Sequence, residues 1–277
     1  MRPLPKPAGC TNTVVDPSGL PEVLAAANPG DRICLMGDMG ATGLAVYSSG
    51  TPQAPIEIVG DGSPNFSGIT IEANDVAVEG VNSVNAAAPG ISILGSDVVV
   101  KNDTVISPRG GDGDGIRFWG SNIKILNNTI KDTRNINGAH ADCMQTFAAD
   151  AGETPASQHV LIDSNRCEQI DNTCLIVEGP HSSANDGSDA GQTIGIVFSR
   201  NYCDNNATES VQVDDAQNMV ITDNSIMGHP DHAIALQNQS TAATVGRNKL
   251  SPAVNFEVGI DNSSLPGYRG PASGGRP

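Results

Sequence analysis

Aromatic residues make up only 3% of the 277-residue chain, with one Trp, three Tyr and five Phe. A core built on large rings is therefore excluded, and the interior has to be aliphatic. Cations are scarce too: 15 Lys and Arg stand against 31 Asp and Glu, for a formal charge of −16. Phosphate binding needs clustered Lys and Arg, so nucleic acid is excluded as a partner. The same charge repels a polyanionic glycan at long range, so a uronate substrate would need a local basic patch or a bridging cation. No uninterrupted run of about 18 apolar residues exists, and no membrane-spanning helix is expected. The opening Met1-Arg-Pro-Leu-Pro-Lys-Pro7 lacks the apolar centre of a signal peptide, which fits an intracellular protein or a mature chain whose signal has been removed.

What the sequence does have is self-similarity. The segments Val98–Val105, Ile123–Ile130, Val160–Cys167, Ile196–Cys203 and Met219–Ile226 share one template: apolar, any, apolar, two variable positions, Asn, any, apolar. The Asn position is held by Asp103, Asn128, Asn165, Asn201, Asn224 and, in a weaker copy, Asn248, giving steps of 25, 37, 36, 23 and 24 residues. Short steps fit one bare coil, and long steps fit a coil plus a loop. An Asn repeated at a bend can stack amide on amide and satisfy backbone groups where the strand ladder is interrupted. A second strand accompanies each copy, as in Gly115-Ile-Arg-Phe118, Cys143-Met-Gln-Thr146, Cys174-Leu-Ile-Val177 and Ser210-Val-Gln-Val213. Alternation turns Ile116, Phe118, Met144, Thr146, Leu175, Val177, Val211 and Val213 inward, and Arg117, Gln145, Ile176 and Gln212 outward.

This pattern specifies an all-β, single-domain right-handed parallel β-helix. An antiparallel sandwich also has many short strands, but its strands do not repeat one Asn at coil-sized intervals. The expected organisation is an N-terminal segment over 1–49, the solenoid over 50–260 and a loose Pro/Gly/Ser-rich tail over 261–277. Solenoid ends need caps, and Ser18 to Gly30 reads as a short capping helix with Ser18 as N-cap and a terminating Pro-Gly.

Six cysteines are present. In the repeat register Cys143 aligns with Cys174 and Cys167 with Cys203. Coil spacing of about 4.8 Å lies within the Cα separation a disulfide permits, so either stacked pair can be bridged or can remain buried thiols. Cys10 and Cys34 bracket the capping helix and are the first choice for a disulfide. An oxidising, extracellular setting follows. The sequons at Asn65, Asn206 and Asn238 are what an Asn-rich repeat generates by chance.

The long steps place insertions after Asn128 and Asn165, where polar residues are densest: Arg109 to Gly115, Lys131 to Arg134, His140 to Gln145, Glu178 to His181, and Asn185 to Asp189. The last of these reads as a solvated flap. The stretch His140-Ala-Asp142-Cys-Met-Gln145 resembles a His-x-Asp-x-x-Gln signature of secreted β-helix carbohydrate-active proteins, the polysaccharide lyases and uronate epimerases, and the architecture resembles theirs over roughly residues 50 to 260. That resemblance implies β-elimination on a uronate polysaccharide at one lateral face. The reaction needs a base for the C5 proton, a partner that neutralises the carboxylate, and an acid for the leaving oxygen. His140 is the candidate base, with Asp142 orienting its ring. Arg117 and Gln145 are candidates to grip the carboxylate, and Lys131 and Arg134 to supply the acid or further neutralisation. Gln212, Glu178 and His181 join Asp142 and Gln145 as candidate substrate contacts. Asp112 and Asp114, spaced by glycines, are a candidate Ca²⁺ site, although two Asp in such a loop also make an ordinary turn. The partner expected is a polysaccharide, bound by a monomer.

A uronate C5-epimerase would use nearly the same residues as a lyase, and two further classes fit the fold. A glycoside hydrolase resembling polygalacturonases would use paired carboxylates from Asp142, Asp171, Asp214 and Asp215. Gly228-His229 is similar to an element of those enzymes, whereas Asp171-Asn-Thr173 matches their Asn-Thr-Asp stretch only in altered order. A non-catalytic glycan-binding solenoid would show no convergent His, Arg and carboxylate cluster on one face.

Overall fold

A computed structural model describes residues 9–40, 42–87, 89–148, 154–182 and 192–277. Among them, three parallel sheets of ten, eight and nine strands wrap a single core. From Ile56 onward each coil visits the sheets in that order. One complete coil runs through Lys124–Leu126, Thr129–Thr133 and Met144–Phe147, and the next through Leu161–Asp163, Arg166–Ile170 and Leu175–Glu178. Register follows the repeat: Ile125 pairs with Ile162, Ile130 with Cys167 and Met144 with Leu175. Parallel strands in register place like on like, so small aliphatics fill the interior in columns. Phe66, Phe118 and Phe198 are the largest fully buried side chains among otherwise aliphatic neighbours. The residues expected inward on the nine-stranded sheet are all buried, and those expected outward are partly exposed.

The Asn column is a continuous hydrogen-bonded ladder at the corner between the ten- and eight-stranded sheets. Each Oδ1 accepts the main-chain N–H of the ladder residue one coil before: Asn128 from Asp103, Asn165 from Asn128, Asn201 from Asn165 and Asn224 from Asn201, all at 2.9 Å, then Asn248 from Asn224 at 3.0 Å. Each Nδ2 donates to a carbonyl of the preceding coil, such as Asn165 to Ile125 at 2.8 Å and Asn201 to Ile162 at 3.0 Å. The residue before each ladder position turns the chain in the left-handed region: Asn102, Asn127, Ser164, Arg200, Asp223 and Arg247 have φ between 53° and 62°. Asn and Asp tolerate that conformation, whereas other L-residues pay about 1–2 kcal/mol for it.

The solenoid reaches further at both ends than the repeat suggests. Asn12–Val14 pairs with Arg32–Leu35, which pairs with Ile56–Val59, so the N-terminal segment already builds ten-stranded sheet. The cap begins as a 3-10 turn at Pro17–Gly19 whose N-cap is Asp16, accepting from the Ser18 N–H, and continues as the helix Leu20–Ala25. Ser18 is therefore inside the turn and is not its N-cap, because the Asp16 carboxylate is the acceptor that meets the first free N–H. Leu20 and Leu24 plug the open cross-section. The expectation of a loose tail is also corrected. Arg269 pairs with Thr244, Gly274 N–H donates to the Val258 carbonyl and Ile260 N–H to the Gly275 carbonyl, so the tail covers strand edges that would otherwise be open.

Cys10 and Cys34 form the expected disulfide. The second disulfide corrects the stacked pairing: Cys143 bonds Cys167, with Cα atoms 5.9 Å apart, while Cys174 and Cys203 are buried thiols. Stacked equivalents project their Cβ atoms in parallel, whereas Cys143 and Cys167 face each other across the corner between the eight- and nine-stranded sheets.

Asp103 is the one acid in the amide ladder. It is 1% exposed, its Oδ1 accepts from Val81 N–H, and its Oδ2, where an Asn would carry its NH2, has no partner among the described residues. Burial pushes its carboxyl well above the ordinary carboxylate range, against the pull of the Val81 N–H. With the folded pKa raised, this group's contribution to stability is fully present below the unfolded pKa and is lost as pH rises through the folded one. Asp103→Asn is expected to raise Tm at neutral pH, with an advantage over the parent that grows from pH 4 upward by up to about 1.4 kcal/mol per pH unit. Thermal unfolding of both proteins from pH 4 to 8 checks this, and a constant difference across the series would contradict it.

Candidate functional site

The outer face of the nine-stranded sheet carries two outward rows. Ser92, Arg117, Gln145, Ile176, Gln212 and Ala235 follow one another in register, and two residues on come Leu94, Trp119, then Phe147, Glu178, Asp214 and Gln237. Stacked neighbours are separated by about 4.8 Å, the spacing of adjacent strands. The first row was legible from the alternation. The second follows from extending the same alternation by two residues, and it supplies Trp119, Phe147 and Gln237, which the sequence reading missed.

Glu178 and Asp214 sit on adjacent strands in register. Burial raises the Glu178 carboxyl, opposed by a hydrogen bond from Gln145 and the charge of His140. Asp214 is pushed up to about 6, chiefly by burial and further by the neighbouring Glu178 and Asp215, while hydrogen bonds from Asn238 and Gln237 pull the other way. Asn238 Nδ2 donates to Asp214 at 2.7 Å and Gln237 Nε2 at 3.2 Å. Gln145, having donated to Glu178, keeps a buried carbonyl oxygen with no partner among the described residues. His140 is exposed on the loop that leads into the strand Met144–Phe147. His181 donates its main-chain N–H to Asp215 at 3.0 Å. Gly179 must be glycine, because a Cβ there would overlap the Asp215 carbonyl and crowd its carboxylate. The acidic stretch Asn185 to Asp189 lies outside the described residues.

Arg117 is on the floor but is not free. Its Nε donates to Asp114 at 2.6 Å and its Nη2 to Asp112 at 2.7 Å, and its guanidinium lies 5.5 Å from the centre of the Phe147 ring. Trp119 meets Phe147 edge-on at 5.2 Å and donates its indole N–H to the Phe147 carbonyl. The two acids expected to hold Ca²⁺ therefore hold a guanidinium instead. Asp114 is fully buried, and its other oxygen accepts the Asp142 N–H at 2.9 Å. A cation at this point would have to displace Arg117, so the donor set does not suit one while the guanidinium is in place.

Asp142 is fully buried. Its Oδ1 accepts from Thr173 N–H at 2.8 Å, the Thr173 hydroxyl at 2.5 Å and Asn172 Nδ2 at 2.9 Å. Burial and the nearby Asp114 push it up to about 7, against the hydrogen bonds from Thr173 and Asn172. It braces the groove wall, and its bonds go to the next coil rather than to the His140 ring. Lys131 and Arg134 belong to the neighbouring eight-stranded sheet, on or just after Thr129–Thr133. Arg134 is held by Asp132 at 2.7 Å and Asp171 at 3.1 Å, which also removes Asp171 from the groove. The structure thus gathers Arg117, Gln145, Glu178, Gln212 and Asp214 on one floor beside His140, and leaves Lys131 and Arg134 round the corner.

A search of curated proteins by sequence finds no match. Solved structures do match the fold. An alginate lyase from Paenibacillus sp. aligns at 16% identity with a TM-score of 0.56, covering 94% of this chain and 99% of its own. A PL6 family alginate lyase aligns at 12% identity with a TM-score of 0.54, covering 91% of this chain and 41% of its own. At such identities the likeness is one of fold. A family model described as "Right handed beta helix region" matches residues 56–250. With that match spanning most of the coils described above, the chain belongs to the right-handed β-helix family.

Proposed function

We propose that this protein is a secreted lyase that cleaves a uronate-containing polysaccharide by β-elimination in the groove over the nine-stranded sheet. The observation that carries this reading is the pair of floor carboxyls, Glu178 and Asp214, that burial drives toward their neutral forms beside Gln145 and His140. A protein of charge −16 can accept an anionic sugar if the acids it presents are protonated, because a neutral carboxyl donates a hydrogen bond where a carboxylate would repel. The alginate lyases that share the fold support the choice of substrate class, and two disulfides suit export to an oxidising compartment.

In this mechanism His140 removes the C5 proton, and the neutral Asp214 and Gln212 donate hydrogen bonds to the uronate carboxylate, stabilising the charge that builds there. Arg117 contributes donors rather than net charge, since Asp112 and Asp114 already balance it. Glu178, in its protonated form, gives its proton to the leaving glycosidic oxygen as the C4–O bond breaks, leaving a C4–C5 double bond. Lys131 and Arg134 have no part in it, and no step needs Ca²⁺. His181 flanks the floor as a substrate contact.

One observation favours a second reading. Glu178 and Asp214 stand in register on adjacent strands of one face, and a pair of carboxyls is what a glycosidase uses as acid and base or nucleophile. The two readings separate by product: unsaturated ends absorb in the ultraviolet, whereas hydrolysis yields reducing ends without them.

A panel of uronate and neutral polysaccharides, followed by both assays, is expected to give unsaturated ends on a uronate polymer only. His140→Ala should lower kcat by about 10²–10⁴-fold, and Lys131→Ala should leave it unchanged; an active His140→Ala enzyme would remove the base assigned here. The rate should fall as pH rises through about 6, because Asp214 then loses its proton. Asp214→Asn keeps a neutral donor, so the elimination reading expects activity to persist, with the remaining alkaline limb set by the Glu178 acid. The hydrolase reading expects a loss of about 10²–10⁴-fold in the same variant.

A further inference from the structure

The corner between the eight- and nine-stranded sheets repeats a pair of facing positions. One is the residue just before each strand of the nine-stranded sheet. The other lies on the eight-stranded sheet one coil later. The pair is Gly90 with Val105, then Gly115 with Ile130, then Cys143 with Cys167. The contact is close each time: a Cβ on Gly90 would overlap a Val105 methyl, and one on Gly115 an Ile130 methyl. In these two coils the partner is β-branched and the first position has no side chain. Where both are Cys, the space is taken by a disulfide with Cα atoms 5.9 Å apart.

The next pair in the series is Cys174 and Cys203. Met144 pairs with Leu175, which sets Cys174 above Cys143, and Cys167 pairs directly with Cys203. Both thiols are fully buried, and the Cys174 thiol donates to Asn205 Oδ1 at 3.9 Å, on the same strand as Cys203. They repeat the bonded pair by one coil.

We infer that Cys174 and Cys203 become joined by a disulfide in the mature protein, a second strut stacked on Cys143–Cys167. Bond formation removes two S–H hydrogens and two electrons, which a small-molecule disulfide of the glutathione class accepts. One cysteine thiolate attacks that disulfide and releases one small thiol; the other cysteine then attacks the mixed disulfide and releases the second. The reaction belongs to folding, before burial closes the site, because an oxidant cannot reach thiols that are 0% exposed. Burial also holds the Cys174 thiol in its protonated, unreactive form once the coils have closed. The two struts sit beside a tie between successive coils, since Cys143 follows Asp142 and Cys174 follows Thr173, whose N–H donates to the Asp142 carboxylate. This inference is independent of the glycan reading.

The test is a thiol count. The reduced, unfolded chain is refolded in a mixture of reduced and oxidised glutathione, then denatured, treated with N-ethylmaleimide and weighed by mass spectrometry. The same count is made on protein exported to an oxidising compartment, so that poor refolding does not decide the matter. The expected result is no adduct, with peptide mapping that links Cys174 to Cys203 and Cys143 to Cys167. Two adducts, on Cys174 and Cys203, would overturn the inference, as would a link from either to Cys143 or Cys167. In a Cys143→Ser/Cys167→Ser variant, which cannot exchange with the first strut, free thiols should still be none, and two would overturn it equally.

Discussion

In-register stacking of parallel strands is the constraint on which the rest of this molecule depends. Once each residue sits about 4.8 Å above its equivalent, every column has to be a set of side chains that tolerate their own kind as neighbours. Aliphatics satisfy this inside by packing, and amides satisfy it at the corner because an Asn is donor and acceptor at once. The ladder from Asn128 to Asn248 uses both halves of that property: Oδ1 takes an N–H of the preceding coil, and Nδ2 reaches a carbonyl of that same coil. Asp103 shows the rule by straining it, since a carboxyl can fill the acceptor half of the role but must keep its proton to avoid a buried charge.

The same constraint acts on the outer face, where it turns chemistry out of geometry. Two acids in one column cannot both ionise cheaply at strand spacing and partial burial. Glu178 and Asp214 are such a pair, and the shift of Asp214 to about 6 follows from burial with the neighbour's charge added. Isolated on a loop, either acid would be an ordinary carboxylate. The register therefore supplies proton donors to a protein that is otherwise strongly anionic. Arg117 is the converse case: set into a face where Asp112 and Asp114 reach it, it has a fixed position but little net charge to offer.

The coils, the ladder and the inward and outward sets were legible in the sequence because each depends on periodicity, and periodicity is local. Arg117, Gln145 and Gln212 could be placed on one row for that reason. What could not be read were contacts across corners. Lys131 and Arg134 are near His140 along the chain but lie on another sheet, and nothing in the spacing says how sharply the loop between them turns. Asp142 has the right neighbours in sequence to orient a histidine, yet Asn172 and Thr173, one coil later, claim its carboxylate. The capping turn was placed correctly while its N-cap was shifted by two residues, because Asp16 and Ser18 offer the same kind of oxygen.

The cysteines give the sharpest case. The register correctly aligned Cys143 with Cys174 and Cys167 with Cys203, but alignment along the axis is not the direction in which side chains meet. Side chains in one column run parallel, and those at facing positions across a corner converge. The clue was present in other coils: Gly90 and Gly115 stand opposite Val105 and Ile130, so these positions face each other across the corner at close range. A pair of Cys fits that limited space as a disulfide, and the pair one coil above inherits the same space. Facing positions across the corner, rather than identity along the column, determine which sulfur meets which.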